Sequence, residues 1–239
     1  MSKTAIITGA GTGIGRGIAQ AFSTVGYSLV LAGRRIDLLE ETAAICGKPN
    51  IEIAVTDVTD RNRVQALADH TVKRFGSIEV LVNNAGINTR ARNLDDITDE
   101  DWDRVISINL TGAFNAFRAV RSQMKKQNDG VVINIASMAG KKAGTVGGAA
   151  YSASKFGMAS LTQSINAEFR EHGIRACCIY PGEVDTPILD HRPNPVSVEK
   201  RAAALQPEDV AAAALMVAQL HNRAIVEEMT IFPRTVVSR

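Results

Sequence analysis

Ala5-Ile6-Ile7-Thr8-Gly9-Ala10-Gly11-Thr12-Gly13-Ile14-Gly15 decides the fold: a short apolar run, a glycine-rich turn, and the opening of a helical pattern. Across residues 14–25, Ile14, Ile18, Ala21, Phe22 and Val25 fall on one helical stripe. Glycines in such a turn let the backbone approach an anion closely. The helix behind them aims free N–H groups and the positive end of its dipole at the same point. A glycine pattern between a strand and an amphipathic helix therefore points to a diphosphate, the other reading being a turn without a ligand. The stretch does not end in Gly-Lys-Ser/Thr, which excludes a triphosphate-binding loop of that type.

Outward from this turn the chain alternates. Residues 28–32, 51–55 and 78–82 read as strands, with helices over 36–45 and 61–75 between them. Asp99 is the expected cap of a helix reaching residue 108, and a second helix spans 112–126. Strands follow at 131–135 and 174–180 around a long amphipathic helix at 151–172, which Gly173 closes. Residues 181–200 hold most of the prolines and read as an irregular loop. A helix opening at Pro207 runs to 220, and a last strand covers 225–232. This order predicts an α/β fold, a doubly wound parallel sheet of about seven strands flanked by helices, in a single domain over 1–239.

The 239 residues are 45% hydrophobic and 22% charged, which excludes a mostly disordered chain. Lys and Arg number 27 against 25 Asp and Glu, so no nucleic-acid or membrane partner is expected. No apolar run reaches the roughly 18 residues of a membrane span, and the glycines interrupt any signal-peptide pattern at the N-terminus. Cys46, Cys177 and Cys178 have neither disulfide-framework nor metal-ligand spacing. They are expected as small core residues in a reducing, cytoplasmic setting, and no metal site is expected.

Two further positions carry chemistry. The second strand ends Leu31-Ala32-Gly33-Arg34-Arg35, without the acid that usually holds an adenosine ribose in NAD binders of this topology. Two guanidinium groups there suit a 2'-phosphate, so NADP(H) is the preferred cofactor and NAD(H) the alternative. In Tyr151-Ser152-Ala153-Ser154-Lys155, the tyrosine and lysine share a helix face. An ammonium beside a phenol is expected to lower its pKa and fit it for proton exchange with an alcohol oxygen. Ser137, after its strand, is placed to hold the same oxygen.

With these residues in place, the chain closely resembles the short-chain dehydrogenase/reductase family over nearly its whole length. Residues 8–15 look like the family's cofactor loop, and Asn83-Asn84-Ala85-Gly86 like its central-sheet motif. Asn109, Ser137, Tyr151 and Lys155 match its active-site tetrad, and residues 181–186 resemble the segment covering the nicotinamide. The resemblance implies a Rossmann fold. It makes Tyr151 the acid/base, and Lys155 the residue that lowers its pKa and bonds the nicotinamide ribose. Ser137 would orient the substrate oxygen, and Asn109 would break its helix locally and support a water beside Lys155. The cofactor would lie on Gly9, Gly11, Thr12, Gly13, Ile14, Gly15, Arg34 and Arg35. Asp57 and Val58 would contact adenine, Asn84, Ala85 and Gly86 would line the cleft, and Pro181, Gly182, Val184 and Thr186 would approach the nicotinamide. The interval from Ser137 to Tyr151 is one residue longer than the commonest spacing. Thr12 stands where NADP-preferring members often carry a basic residue. The C-terminal strand lacks the Asp-Gly-Gly common in tetrameric members.

The expected activity is NADP(H)-dependent interconversion of a carbonyl and a secondary alcohol on a small molecule. The alternatives are an NAD-dependent alcohol or sugar dehydrogenase, and a non-catalytic nucleotide sensor or scaffold. Specificity is expected from residues 88–93, 138–150 and a substrate loop at about 183–200. Arg90 and Arg92 read as a solvated loop, with an anionic substrate as the other possibility, and Lys141 and Lys142 also read as solvated. A homodimer or homotetramer is expected, with Ala116, Ala119, Ala159 and Leu161 at the two-fold surfaces or against their own sheet.

Overall fold

The computed structural model describes residues 2–47 and 50–234. Its centre is a seven-stranded, all-parallel sheet in the order β3-β2-β1-β4-β5-β6-β7. The strands are β1 (Thr4–Thr8), β2 (Ser28–Gly33), β3 (Ile51–Val55), β4 (Val80–Asn83), β5 (Gly130–Ile135), β6 (Ile174–Pro181) and β7 (Glu228–Ile231). Helices α1 (Gly13–Thr24), α2 (Ile36–Cys46), α3 (Arg61–Phe75), α4 (Asp99–Ile106), α5 (Gly112–Gln127), α6 (Ala149–Phe169), α7 (Val198–Ala203) and α8 (Pro207–Gln219) complete it. The architecture is the single-domain Rossmann fold expected from the alternation. Among the described residues no helix is long and apolar enough to cross a membrane.

Strand alternation divides the core in two. Ile7 packs with Ile18 and Phe22 of α1 and Val210 of α8, whereas its neighbour Ile6 packs with Leu67 of α3, Phe117 of α5 and Ile165 of α6. Each such fully buried side chain contributes roughly 1.5–3 kcal/mol. The chain runs outward from β1 to β3 and returns on the other side at β4. A crevice therefore opens at the carboxyl ends of β1 and β4, the usual place for a ligand in such sheets.

Several local expectations change. The cap of α4 is Thr98, whose hydroxyl accepts from the Asp101 amide, because the hydroxyl one residue earlier reaches the third free N–H and leaves Asp99 inside the helix. The two helices expected around residue 110 share a continuous helical backbone through a π-helical turn at Ser107–Thr111. Residues 181–200 contain a 3-10 turn at Pro187–His191 and the start of α7, whose cap Ser197 accepts from Lys200. The last strand is limited to Glu228–Ile231, where it pairs with β6. Cys177 and Cys178 are buried as expected, and burial pushes the Cys177 thiol up to about 12.

Candidate functional site

The glycine turn closes the carboxyl end of β1 by contacts that only glycine permits. Gly9 and Gly13 have φ of +65° and +53°. A Cβ on Gly15 would stand 2.3 Å from the Gly9 carbonyl oxygen. The end of β4 clamps the turn: Asn84 Nδ2 donates to the carbonyls of Thr8 and Gly9 at 3.0 and 3.1 Å. The Thr8 hydroxyl accepts from the amides of Asn84 and Ala85. The Asn84 side chain thus holds the glycine turn in shape. Arg16, which the sequence reading passed over, ties the turn to α2 by donating to Gly11 O at 2.6 Å and to the Glu41 carboxylate at 2.8 Å.

The N-terminus of α1 is open to an anion. Its cap, Thr12, makes no side-chain cap bond, and no acid stands in the first turn, so the free N–H groups beside Ile14 have no intramolecular cap. This donor set fits a dinucleotide diphosphate. At the end of β2 and β3 a cleft of about 410 Å³ is lined by Arg34, Val55, Asp57, Thr59, Asp60 and Arg63. Burial opposes ionisation of Asp57, yet the Thr59 amide and hydroxyl, then Arg34 and Arg63, hold its carboxyl below the ordinary range. Arg35 is the N-cap of α2 and does not line this cleft, whereas Arg63, absent from the sequence reading, does. Val58 is held from α5: Asn115 Nδ2 donates to its carbonyl at 3.0 Å, and Gly112 leaves room for its methyl groups.

Ser137, Tyr151 and Lys155 come together beyond β5. Ser137 caps the 3-10 turn Met138–Gly140, its Oγ accepting from the Ala139 amide at 3.2 Å. Tyr151 sits in the first turn of α6, and Lys155 follows one turn later, its Nζ 5.5 Å from the Tyr151 ring centroid. Lys155 is buried, and its Nζ donates to Ile135 O at 2.8 Å. Burial pulls Lys155 down to about 8, against a small upward pull from Cys178. Burial pushes the Tyr151 phenol up, while the Ser137 hydroxyl and the Arg92 guanidinium pull it back down. The phenol is thus raised on balance, and the lysine one turn away is itself desolvated and bonded to a main-chain carbonyl.

Asn109 lies in the π-helical turn and is fully buried. A Cβ on Gly86 would stand 3.4 Å from Asn109 Oδ1 and 3.6 Å from Lys155 Nζ, so these three residues converge. A buried polar chain runs from Asn83 of the central-sheet motif to two residues that sequence reasoning missed: Asn83 Nδ2 donates to Asn134 Oδ1, and Asn134 Nδ2 to the Thr162 hydroxyl, linking β4, β5 and α6. Asparagines inside strand-like runs were its only sequence signal.

The segment after β6 reaches back over the glycine turn. The Thr186 methyl lies 3.1 Å from where a Cβ on Gly13 would stand. Val184 bridges to Leu205, and the Gly182 amide, just past Pro181, donates to Ile231 O. Arg192 pairs with Glu183 at 2.6 Å, and Arg201 pairs with Asp185 at 2.8 Å and with Asp190. Arg92 is no solvated loop residue: it is buried, with its guanidinium bonded to main-chain carbonyls. Lys141 is exposed, as expected, yet pairs with Glu228 and lies 4.4 Å over the Tyr180 ring. A larger cavity, about 460 Å³, opens between α6 and the β6–β7 edge, and none of its lining residues belongs to the Ser137–Tyr151–Lys155 group.

The model of the short chain dehydrogenase family matches residues 3–195. An uncharacterized oxidoreductase of Staphylococcus aureus (strain MRSA252) is 34% identical over 231 residues, covering 97% of each chain. Among solved structures, an alcohol dehydrogenase from the archaeon Thermococcus sibiricus complexed with 5-hydroxy-NADP superposes with a TM-score of 0.88 at 26% identity, over 100% of both chains. Serine dehydrogenase from Escherichia coli gives 0.85 at 28% identity, over 98% of this chain and 100% of that one.

Proposed function

The chain belongs to the short-chain dehydrogenase family, an oxidoreductase family, and on that premise we propose that it interconverts a small-molecule carbonyl and a secondary alcohol with NADP(H), using Tyr151 as acid/base. The observation that carries this reading is the convergence of Ser137, Tyr151 and Lys155 beside the open N-terminus of α1.

A bound nicotinamide would donate hydride to the carbonyl carbon in reduction and accept it from the carbinol carbon in oxidation. Gly9, Gly11, Gly13 and Gly15 would let the backbone approach the diphosphate, and Arg34, which lines one cleft with Asp57, would hold the adenosine 2'-phosphate. The archaeal alcohol dehydrogenase that this chain resembles was solved with an NADP derivative. In reduction, Tyr151 Oη gives its proton to the developing alkoxide and the Ser137 hydroxyl donates a hydrogen bond to the same oxygen. The phenolate left behind is favoured by positive charge nearby. In oxidation the same groups act in reverse. The segment over 183–200 forms the substrate loop, with Thr186 over the glycine turn. Ala116, Ala119 and Leu161 pack on their own sheet, so the outward-facing Phe114 and Phe156, 40% and 44% exposed, are the surfaces proposed for a homodimer or homotetramer.

Parallel fluorescence titration with NADPH and NADH tests the cofactor, and tighter NADPH binding is expected. An NADH preference would move the reading to NAD-linked alcohol oxidation. Tyr151→Phe is expected to bind nucleotide normally and lose turnover by about 10²-fold or more. Full turnover in that variant would overturn the assignment of the proton donor.

A further inference from the structure

Arg92 is 6% exposed, and among the described residues its guanidinium bonds no carboxylate. Its Nε donates to Thr89 O at 2.6 Å, Nη1 to Val146 O at 2.6 Å and Nη2 to His191 O at 2.9 Å. Those carbonyls belong to the loop after β4, the segment before α6, and the end of the 3-10 turn at Pro187–His191. One side chain thus ties together the three least patterned parts of the chain.

Arg92 is also seated on the start of α6. Its own carbonyl accepts from the Ala149 amide at 3.3 Å. Gly148, the α6 cap with φ +78°, has no room for a side chain, since its Cβ would stand 2.6 Å from Arg92 Cβ. Tyr151 lies in this same first turn, where the helix dipole is positive as well. Burying a cation without a carboxylate costs several kcal/mol, an arrangement that persists only when the surroundings supply compensation or the charge has a use.

We propose that Arg92 is a positioning residue: it ties the loop after β4 and the end of the 3-10 turn to the segment that leads into α6, and it places a permanent positive charge beside the first turn of that helix, where Tyr151 sits. The proposal rests on the reading of Tyr151 as acid/base. The groups that act on that phenol are Lys155 from α6, its Nζ 5.5 Å from the ring centroid, the Ser137 hydroxyl from the turn after β5, and the charge of Arg92 from the loop after β4. Arg192, paired with Glu183 at 2.6 Å, still acts on Arg92: burial first and then the Arg192 charge lower the Arg92 guanidinium. Burial pulls Lys155 down to about 8, whereas a guanidinium does not titrate in the accessible range. Arg92 is therefore the fixed source of potential, and the carbonyl dipoles around it hold it without cancelling its charge.

The test uses the full chain and needs no substrate. Phenol ionisation is followed by absorbance near 295 nm, with circular dichroism at each pH to confirm the fold. Subtracting Tyr151→Phe isolates Tyr151 from Tyr27 and Tyr180. Arg92→Met is expected to move the Tyr151 titration upward by about 1 pH unit. Arg92→Lys keeps the charge but cannot reach all three carbonyls, so it should titrate near the wild type while melting earlier. Should Arg92→Met fail to fold, Arg92→Gln carries the same comparison. An unmoved Tyr151 titration in a folded, uncharged variant overturns the proposal, and so does an Arg92→Lys shift as large as that of Arg92→Met. A Tyr151→Phe protein with full turnover sinks the acid/base reading instead, and leaves the titration result standing.

Discussion

The Asn109 carboxamide is bonded at both ends to one residue: Oδ1 accepts from the Ile87 amide at 2.8 Å, and Nδ2 donates to the Ile87 carbonyl at 3.0 Å. Nδ2 also donates to the Ser154 hydroxyl at 3.1 Å. Asn109 thereby replaces a strand neighbour for the chain leaving β4 and ties it to α6. Asn109→Leu leaves the Ile87 groups unpaired in a buried site. A loss of about 2–4 kcal/mol is expected in urea unfolding, with turnover falling alongside. A variant as stable as the wild type would show that water or a shifted backbone replaces the carboxamide.

Lys155 links stability to pH with a definite sign. It titrates at about 8 in the folded chain, against about 10.4 for an unfolded lysine. The unfolded form binds more protons between those values, so stability rises with pH across that window. Below about pH 8 the folded protein carries the full cost of the buried ammonium, roughly 3 kcal/mol from that difference. Lys155→Met has no such group. Unfolding at about pH 7 and about pH 9.5 should show the wild type gaining on the variant as pH rises; a constant gap would contradict a depressed lysine.

Gly15 and Gly144 make a matched pair. A Cβ on Gly15 meets the Gly9 carbonyl and Asn84 Nδ2 at 2.3 and 2.5 Å, whereas a Cβ on Gly144 meets nothing within 4 Å. Gly15→Ala should cost about 2 kcal/mol or more and weaken nucleotide binding by distorting the turn. Gly144→Ala should be close to neutral in melting temperature. Equal effects would mean that the glycine turn relaxes freely.

Arg34 carries the cofactor preference in the proposed reading. Arg34→Ala removes the guanidinium from the cleft at the end of β2 while leaving the diphosphate turn intact. NADPH affinity should fall about 10- to 100-fold, with NADH affinity little changed. A parallel loss of both would assign Arg34 to the fold, and no loss would move the role to Arg63.

Residues near in sequence announced themselves. The alternation of Val- and Ile-rich runs with amphipathic stretches gave the strand and helix order, because burial on both faces of a parallel sheet leaves a continuous apolar run. The glycine turn and the Tyr151–Lys155 pair were legible for the same reason, since their chemistry depends on short spacings along one strand end or one helix face. Residues far apart in sequence were silent. Arg92 read as a solvated charge because its partners, Val146 and His191, lie 54 and 99 residues away. Thr98 was passed over for Asp99, since both are good caps and only backbone geometry separates them.

The sequence alone determined the parallel α/β architecture, the glycine turn and the identity of the acid/base candidates, all of which follow from local periodicity and residue chemistry. The tertiary structure decided how that chemistry is tuned. Burial raises the Tyr151 phenol, against the pull of the Ser137 hydroxyl and the Arg92 guanidinium, and pulls Lys155 down to about 8. Desolvation and long-range Coulomb fields depend on what surrounds a group in space, and no spacing along the chain encodes that.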